Sequence, residues 1–150
     1  MELKGEALIK APRSVVWERL NDPATLQQCV PGCESLTRVG DDAYEAVVVA
    51  AVGPVKAKFK GKMTISDRKD NEGYTLAGEG TGGVAGFGKM TAYVVLADAA
   101  EGTQLTYTAD AQVGGKLAQV GARLVQGVAQ KFAAEFFNRF NKAVSPAGEL

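Results

Sequence analysis

Residues 116–144, KLAQVGARLVQGVAQKFAAEFFNRFNKAV, carry the longest regular pattern in the sequence. Apolar residues recur in it at spacings of three and four, which is typical of an α-helix with one apolar side. These residues are Leu117, Val120, Leu124, Val128, Phe132 and Phe136. Ser145-Pro146 ends the pattern, so residues 145–150 are predicted to form a short tail. The stretch therefore predicts one long amphipathic helix, roughly 43 Å in length at 1.5 Å per residue.

Two glycines interrupt the helical pattern. Gly121 and Gly127 each cost a helix about 1 kcal/mol relative to alanine, so another feature must offset them. One explanation is that the helix approaches the sheet closely at these positions. The other is a kink that shapes the entrance to a ligand site.

Upstream of residue 114, apolar and polar residues alternate, which predicts β-strands. Residues 55–66 show this pattern most clearly, because Val55, Phe59 and Met63 are separated by lysines. Turn sequences recur at regular intervals, at 40–42, 53–54, 70–73 and 98–102. Strands joined by such short turns form an antiparallel meander, here of about six to seven strands.

Two prolines predict short helices after the first strand. Pro12 opens a segment that places Val16 and Leu20 on one apolar side. Asp22 and Pro23 supply an N-cap and a first helical residue for a second short helix.

The predicted elements assemble in one way. A sheet with one apolar face needs a cover, and only the terminal helix is long enough to supply it. We therefore predict a single α+β domain over residues 1–150, with a curved antiparallel sheet wrapped around the C-terminal helix. One helix cannot fill the concave side of such a sheet, so a cavity is expected between them.

The alternation also identifies the residues expected to line this cavity. They are Phe59, Met63, Leu76, Met90, Val94, Leu105, Tyr107, Val120, Leu124 and Val128. Among them, Tyr107 can present a hydroxyl from an apolar wall, so it is predicted to contact a ligand carbonyl.

The composition excludes several classes of function. The chain has 17 basic residues, 17 acidic residues and no histidine. Zero net charge provides no general attraction for nucleic acid. Without histidine, a Ser-His-Asp or Cys-His nucleophile and a histidine-based zinc site are impossible. The sequence places Glu45, Glu79 and Asp110 on strand faces but gives no means of pairing them, so no catalytic residue is predicted.

The two cysteines and the N-terminus bear on metal binding and location. Cys29 and Cys33 alone cannot complete a four-ligand zinc site, so we expect reduced, buried thiols and no metal. The charged N-terminus does not resemble a signal peptide, and no apolar run is long enough to span a bilayer. A cytoplasmic location is therefore expected.

Glycine makes up 18 of the 150 residues, and several glycines cluster between Gly78 and Gly88. Residues 78–83 match the G-x-G-x-x-G dinucleotide motif, but extended sequence rather than a helix follows them, which argues against nucleotide binding. Two interpretations remain. The glycines let strands bend or bulge around the helix, or their lack of side chains keeps the cavity mouth open to a ligand.

Charge is unevenly distributed along the chain. Four lysines, Lys56, Lys58, Lys60 and Lys62, form a row on one strand face, which we call the lysine row. The 116–144 helix is also basic, whereas residues 20–54 carry five acids and one arginine. We expect the basic strand and helix to face away from the acidic segment. The lysine row either solubilises a sheet surface or contacts a protein partner or an anionic membrane.

Motifs along residues 1–143 match a known family. They are Gly5, Pro12-x4-Trp17-x2-Leu20, Asp22-Pro23-x2-Leu26, Cys29-Val30-Pro31-Gly32-Cys33, the Gly78 to Gly88 stretch, Gly102-Thr103-x-Leu105-x-Tyr107, Gly114-x2-Leu117-Ala118-x2-Gly121-x-Arg123 and Phe136-Phe137-x2-Phe140. In these motifs the chain resembles the CoxG-like family of carbon monoxide dehydrogenase accessory proteins. That family is similar in turn to the START-related helix-grip (SRPBCC) superfamily.

The resemblance implies a helix-grip fold and a non-catalytic accessory protein that serves a molybdenum hydroxylase of the carbon monoxide dehydrogenase type. It further implies a lipophilic ligand such as a quinone or a lipid, and peripheral contact with the inner face of the membrane in recruitment or electron transfer. Two alternatives stay open. One is an enzyme of the polyketide cyclase or hydratase kind that uses a pocket carboxylate or Tyr107, and the other is a protein adaptor that uses its basic surface.

Overall fold

The structure, a computed structural model, describes residues 1–145 of the chain. Its strands are β1 (Glu2–Ile9), β2 (Cys33–Gly40), β3 (Ala43–Val52), β4 (Val55–Lys69), β5 (Gly73–Thr81), β6 (Phe87–Ala99) and β7 (Gly102–Gly114). Its helices are α1 (Arg13–Leu20), α2 (Pro23–Cys29), α3 (Lys116–Gln119) and α4 (Ala122–Val144), with a 3₁₀ turn at Gly83–Ala85. Ser145 is the C-cap of α4. The rest of the predicted tail lies outside the described residues.

All seven strands belong to one sheet with the order β1-β7-β6-β5-β4-β3-β2, and every neighbouring pair is antiparallel. From β2 to β7 each strand pairs with the next in sequence, and β1 pairs with β7. This is the predicted meander, so the α+β fold with a curved antiparallel sheet and a C-terminal helix is confirmed.

The two short helices form where the prolines predict them. The Asp22 carboxylate accepts a hydrogen bond from the Thr25 backbone N–H, and Pro23 is the first helical residue of α2. The Thr25 hydroxyl also donates to Asp22 at 2.7 Å. These bonds to the charged form lower the pKa of Asp22, the side-chain bond from Thr25 having the largest effect. The pair thus fixes the start of α2.

The C-terminal helix differs from the prediction, because it is two helices rather than one. α3 ends at Gln119, and α4 begins after Gly121, whose φ is +99°. Side chains other than hydrogen strain the backbone in this region, so the glycine allows the chain to break. The predicted close approach is also wrong, since a Cβ atom added at Gly121 or Gly127 would meet nothing within 4 Å.

Fully buried apolar side chains form three separate clusters rather than one continuous core. The first joins the short helices to the end of α4 around Ile9, Leu105 and Phe140. The second lies between α2 and strands β2 to β4. The third joins the start of α4 to the sheet through Val52, Leu117 and Val125. The core therefore packs at separate positions along the sheet.

None of the helices within residues 1–145 is long and apolar enough to cross a membrane.

Candidate functional site

The inner face of the sheet, the one turned toward α4, is the candidate binding surface. The strand registers place one apolar or small residue after another across it. One row across five strands is Ala111, Met90, Gly78, Met63 and Tyr44, and a second is Gly5, Tyr107, Val94 and Tyr74.

Carboxylates are kept away from the middle of this face. The inner positions of β6 from Gly88 to Leu96 and those paired with them on β5 and β7 carry no carboxylate. Asp98 follows only at the end of β6, where it is exposed and paired with Arg13 at 2.8 Å. The surface can therefore hold an apolar molecule without burying an unpaired acid.

Most apolar residues in the middle of this face are half-buried, although they lie under α4. Tyr74 is one of these half-buried residues. Burial raises the pKa of Tyr74 to about 12, because its phenolate would lose hydration among the surrounding atoms. The same side chain still keeps accessible surface. We call the region between the inner face and α4, where the predicted cavity would lie, the inner space.

Glycines are concentrated where β4, β5 and β6 meet. Gly61, Gly80 and Gly88 lie side by side on these strands, and Gly78 is next to them. A Cβ atom would sit at ordinary contact distance, 3.8 Å at Gly78, 3.5 Å at Gly80 and 3.6 Å at Gly88. None of the four has a positive φ. Neither backbone conformation nor crowding demands glycine at Gly78, Gly80 and Gly88, so the sheet carries no side chain at these positions although a Cβ atom would fit.

The glycine cluster thus divides into two groups. The β4–β5 pairing is continuous through Gly78 and Gly80, and its one irregularity lies at Ser66–Lys69, so these glycines form no bulge. Gly83 and Gly86, by contrast, have φ of +65° and +110° and allow the turn before β6. The bending interpretation applies to this turn only.

The predicted lining residues are not all placed alike. Phe59, Met63, Leu76, Met90, Val94 and Tyr107 are half-buried on the inner face, and Val120 and Val128 pack beside Val125. Leu105 is only 1% exposed and belongs to the first core cluster. Leu124 is 40% exposed, and its Cδ2 atom lies 2.7 Å from where a side chain at Gly53 would begin. Eight of the ten therefore lie on the inner face or on the helical residues packed against it, with Leu105 in the core and Leu124 at the β3–β4 turn.

Tyr107 is held between two neighbours. Its ring stacks on Phe137 of α4, with ring centroids 5.8 Å apart. On the other side it covers Gly5, where an added Cβ would lie 2.7 Å from the Tyr107 hydroxyl oxygen. Burial raises the pKa of Tyr107, so the group stays a neutral hydroxyl at neutral pH.

Sequence reasoning missed Tyr74. Its ring packs edge-on against Trp17 of α1, with centroids 5.7 Å apart. Alternation with Leu76 on the same strand is the signal that could have found it, because residues two apart share a face.

The lysine row lies on the opposite, outer face of the sheet, and all four of its side chains are exposed. The predicted separation of charge is wrong. The acidic segment forms β2 and β3, and β3 is the immediate neighbour of the lysine strand β4. Lys58 Nζ lies 3.0 Å from Glu34 Oε1, and Lys62 pairs across the strands with Glu45 on one side and Glu79 on the other. The basic strand is therefore interleaved with acids.

Two open depressions, of about 810 and 580 Å³, also lie on the outer face. Both contain Lys62, Glu79 and Lys89. Gly78, Gly80, Gly88 and the predicted cavity residue Met90 also border them, but the charged side chains that line both depressions lie on the outer face and distinguish them from the apolar inner face.

The remaining reactive groups are dispersed. Glu45, Glu79 and Asp110 are exposed on the outer face. Cys29 is buried and Cys33 half-buried, both are free, and burial raises the pKa of both thiols. Within residues 1–145 no three His, Cys, Asp or Glu side chains come together as a metal site.

Comparison with known proteins places this geometry in a family. The family model that matches residues 5–145 is that of CoxG, a carbon monoxide dehydrogenase subunit. A conserved protein from Geobacillus kaustophilus is 35% identical with a TM-score of 0.90, over 96% of this chain and 95% of that chain. A search of curated proteins finds no match.

More distant structures share the fold alone. A protein from Chromobacterium violaceum has a TM-score of 0.74 at 14% identity, over 97% of this chain and 98% of that one. The Zhui aromatase/cyclase from a Streptomyces species has a TM-score of 0.69 at 14% identity, over 96% and 93%. The fold is thus the helix-grip fold of the SRPBCC proteins, and the chain belongs to the carbon monoxide dehydrogenase CoxG family.

Proposed function

We propose that the protein is a non-catalytic binding protein that holds a lipophilic small molecule, such as a quinone or a lipid, in the inner space. The observation that carries this proposal is the glycine group at Gly78, Gly80 and Gly88. At these positions an apolar sheet face carries no side chain, although a Cβ atom would fit without backbone strain. A protein that only needed a stable core would gain by placing side chains there.

We further propose that the protein serves a molybdenum hydroxylase of the carbon monoxide dehydrogenase type, in the cytoplasm or at the inner face of the membrane. The name of the family supports the association with that enzyme. A lipophilic electron acceptor or a lipid would be the cargo, and a carrier of this kind needs no catalytic group or bound cofactor of its own.

Native mass spectrometry of the freshly purified full chain tests ligand binding. We expect the protein to carry a co-purified lipophilic molecule, or to take up an added quinone or lipid at a ratio of one to one. A protein that stays free of ligand and ignores both classes of compound would overturn the proposal.

The structure favours binding over an enzyme of the cyclase or hydratase kind. A pocket carboxylate would serve such an enzyme as an acid or base. Glu45, Glu79 and Asp110 instead project from the outer face. The enzyme alternative therefore has Tyr107 as its candidate reactive group. This side chain lies on the inner face, and burial raises its pKa.

The adaptor alternative depends on the lysine row. Lys58 is paired with Glu34 and Lys62 is flanked by acids, which leaves Lys56 and Lys60 as the cations of the row available to a partner. If the row docks an acidic protein surface, Lys56→Glu with Lys60→Glu will abolish capture of the hydroxylase subunits in a pull-down. Capture that is unchanged by this double variant would remove that role.

A further inference from the structure

The two ends of the sheet differ in charge. Connections in an antiparallel meander alternate between the ends, and those after β2, β4 and β6 share one end. Exposed acids lie in or beside these three turns, namely Asp41, Asp42, Asp70, Glu72, Asp98 and Glu101. The connections after β3, β5 and β7 lie at the other end, and the stretches that form it, residues 46–66, 80–97 and 111–134, contain no Asp or Glu. We call that end, formed by residues 53–56, 82–87 and 114–124, the basic end, because its charged residues are Lys56, Lys116 and Arg123.

The three connections of the basic end lie against one another. A Cβ atom at Gly86 would be 3.2 Å from the backbone nitrogen of Lys116, so the β5–β6 connection contacts the start of α3. Leu124 at the start of α4 contacts the β3–β4 turn at Gly53. The strands β3 to β7 are consecutive in the sheet, so their ends lie within about 19 Å of one another. The basic end is therefore one continuous surface.

Large apolar side chains are exposed on this surface. Val84 is 85% exposed, Phe87 50% and Leu124 40%. The Gly82 backbone N–H donates to the Gly86 carbonyl oxygen at 2.8 Å, which closes the β5–β6 connection and leaves Val84 at its tip. Single exposed apolar residues are ordinary on protein surfaces, whereas several together mark an interaction site.

The cations of the basic end are exposed as well. Acids come near it only on the neighbouring strand pair, where Glu2 of β1 lies opposite Asp110 of β7. The N-terminal ammonium is 3.7 Å from the Asp110 carboxylate and offsets one of these charges. The surface thus combines exposed apolar side chains with an excess of positive charge.

We propose that the basic end docks on the surface of an anionic lipid bilayer. Its exposed apolar side chains enter the headgroup region, and its cations contact lipid phosphates. Apolar burial and attraction to anionic headgroups add to each other in binding of this kind. This inference rests on the proposed location at the membrane, names the surface that makes the contact, and does not depend on the ligand.

The shape and the charge of the molecule favour a bilayer over a protein partner. A stable protein interface buries about 800 Å² on each partner and needs a complementary surface. The basic end consists of turn tips and helix starts, which can enter a headgroup layer without such a surface. The acidic end points away from the bilayer in this arrangement, so the negative potential of the lipid attracts one end and repels the other.

The experiment measures sedimentation of the full chain with two kinds of vesicle. One is phosphatidylcholine alone, and the other is phosphatidylcholine and phosphatidylglycerol in equal parts. The apolar variant is Val84→Ser with Phe87→Ser. Its matched control is Val39→Ser with Val95→Ser, because these two valines are each 53% exposed and lie outside the basic end.

A second pair of variants tests the charges. Lys116→Glu with Arg123→Glu reverses two cations of the basic end. Lys10→Glu with Lys69→Glu makes the same change in net charge at two exposed cations of the acidic end. Thermal melting of each variant reports whether the fold is intact.

We expect the wild type to bind the anionic vesicles at least about 10-fold more tightly than the neutral ones. The apolar variant and the charge variant should each weaken binding to anionic vesicles by about 10-fold or more. Both controls should stay within about 2-fold of the wild type, since the orientation of the protein and not its net charge decides binding. High salt should weaken the binding.

Other outcomes would overturn the docking surface. They are a wild type that ignores the anionic vesicles or binds both kinds equally, variants of the basic end that bind like the wild type, and controls that lose as much as those variants. If the wild type ignores vesicles and the charge variant loses the hydroxylase subunits in a pull-down, the basic end is a protein interface instead.

The vesicles carry no quinone, so this result and the proposed ligand binding are read separately. A protein that docks through the basic end but takes up no ligand in native mass spectrometry leaves this inference standing and overturns the carrier function. A protein that takes up a ligand but fails the vesicle test does the reverse.

Discussion

Tyr74 couples its buried position to stability at high pH. Burial raises its pKa to about 12 from an ordinary value of 10. The folded protein therefore keeps a proton that the unfolded chain releases. The stabilisation is complete below about pH 10 and is lost as the pH rises through about 12. A shift of this size corresponds to at most about 2–3 kcal/mol.

We expect the free energy of unfolding to fall between pH 10 and pH 12, and Tyr74→Phe to remove part of that fall. Urea denaturation at a series of pH values measures it. All other ionisable groups are the same in both proteins, so the difference between them isolates Tyr74. Tyr93 is 54% exposed, so Tyr93→Phe should behave like the wild type, and an equally steep fall in Tyr74→Phe would contradict the assignment.

Gly5 and Tyr107 depend on each other. A methyl group at Gly5 would lie 2.7 Å from the Tyr107 hydroxyl oxygen and 2.8 Å from its Cζ atom, so the ring must move away from Phe137. We expect Gly5→Ala to destabilise the protein by about 1–3 kcal/mol, as overpacking does, measured by urea denaturation. In a Tyr107→Ala background the cost should shrink, because the obstructing ring is gone. Equal costs in both backgrounds would show that the clash is not the cause.

At the scale of elements, substitutions at two glycines of the C-terminal helices should have opposite effects on stability. Gly121 has a φ of +99°, which alanine adopts only with strain, whereas Gly127 is an interior residue of α4 with open space around it. We expect Gly121→Ala to lower the free energy of unfolding by about 1–2 kcal/mol and Gly127→Ala to raise it by about 0.5–1 kcal/mol. Urea denaturation of both variants checks the signs, and a destabilising Gly127→Ala would mean that the helix surface there is closely packed.

The strands and the first three helix starts were predictable, because alternation and proline or N-cap residues are local signals. The break before α4 was not, since the spacing of apolar residues continues through Val120 and Leu124. The break is decided at Gly121, whose positive φ other residues adopt only with strain. The same limit applied to the site. Alternation identified six half-buried inner residues, but which side of α4 carries Leu124 depends on how the helix restarts at Gly121.

At the scale of the whole molecule, the distribution of charge over the surface could be predicted only with knowledge of the strand register. The sequence separates acids in 20–54 from the lysine row by position along the chain. Antiparallel pairing then brings Glu45 beside Lys62, and the fold of β2 brings Glu34 to Lys58. Pairing between distant residues is set by the fold, so composition by segment could not reveal it. The outer surface is therefore mixed in charge, and the apolar inner space remains the distinctive chemical feature.

If the proposed ligand binds the folded protein, the stability of the whole protein depends on binding. A ligand that binds only the folded state at 100 times its dissociation constant adds about 2.7 kcal/mol to the free energy of unfolding. Gly78→Val places a side chain in the inner space, where an added Cβ has its nearest contacts at 3.8 Å. It also replaces a glycine that weakens the strand, so the ligand-free variant should be at least as stable as the wild type.

The same variant should bind 2,3-dimethyl-1,4-naphthoquinone, a lipophilic quinone, more weakly and gain less stability from it, because the added side chain occupies volume that the proposed ligand needs. Urea denaturation with and without the compound measures both quantities. Ala77→Val is the matched control, since Ala77 is the exposed neighbour of Gly78 on the outer face and should gain as much as the wild type. If Gly78→Val gained the full amount, the ligand would bind elsewhere. If Gly78→Val and Ala77→Val lost the gain together, the change would lie in the strand rather than in the volume of the inner space.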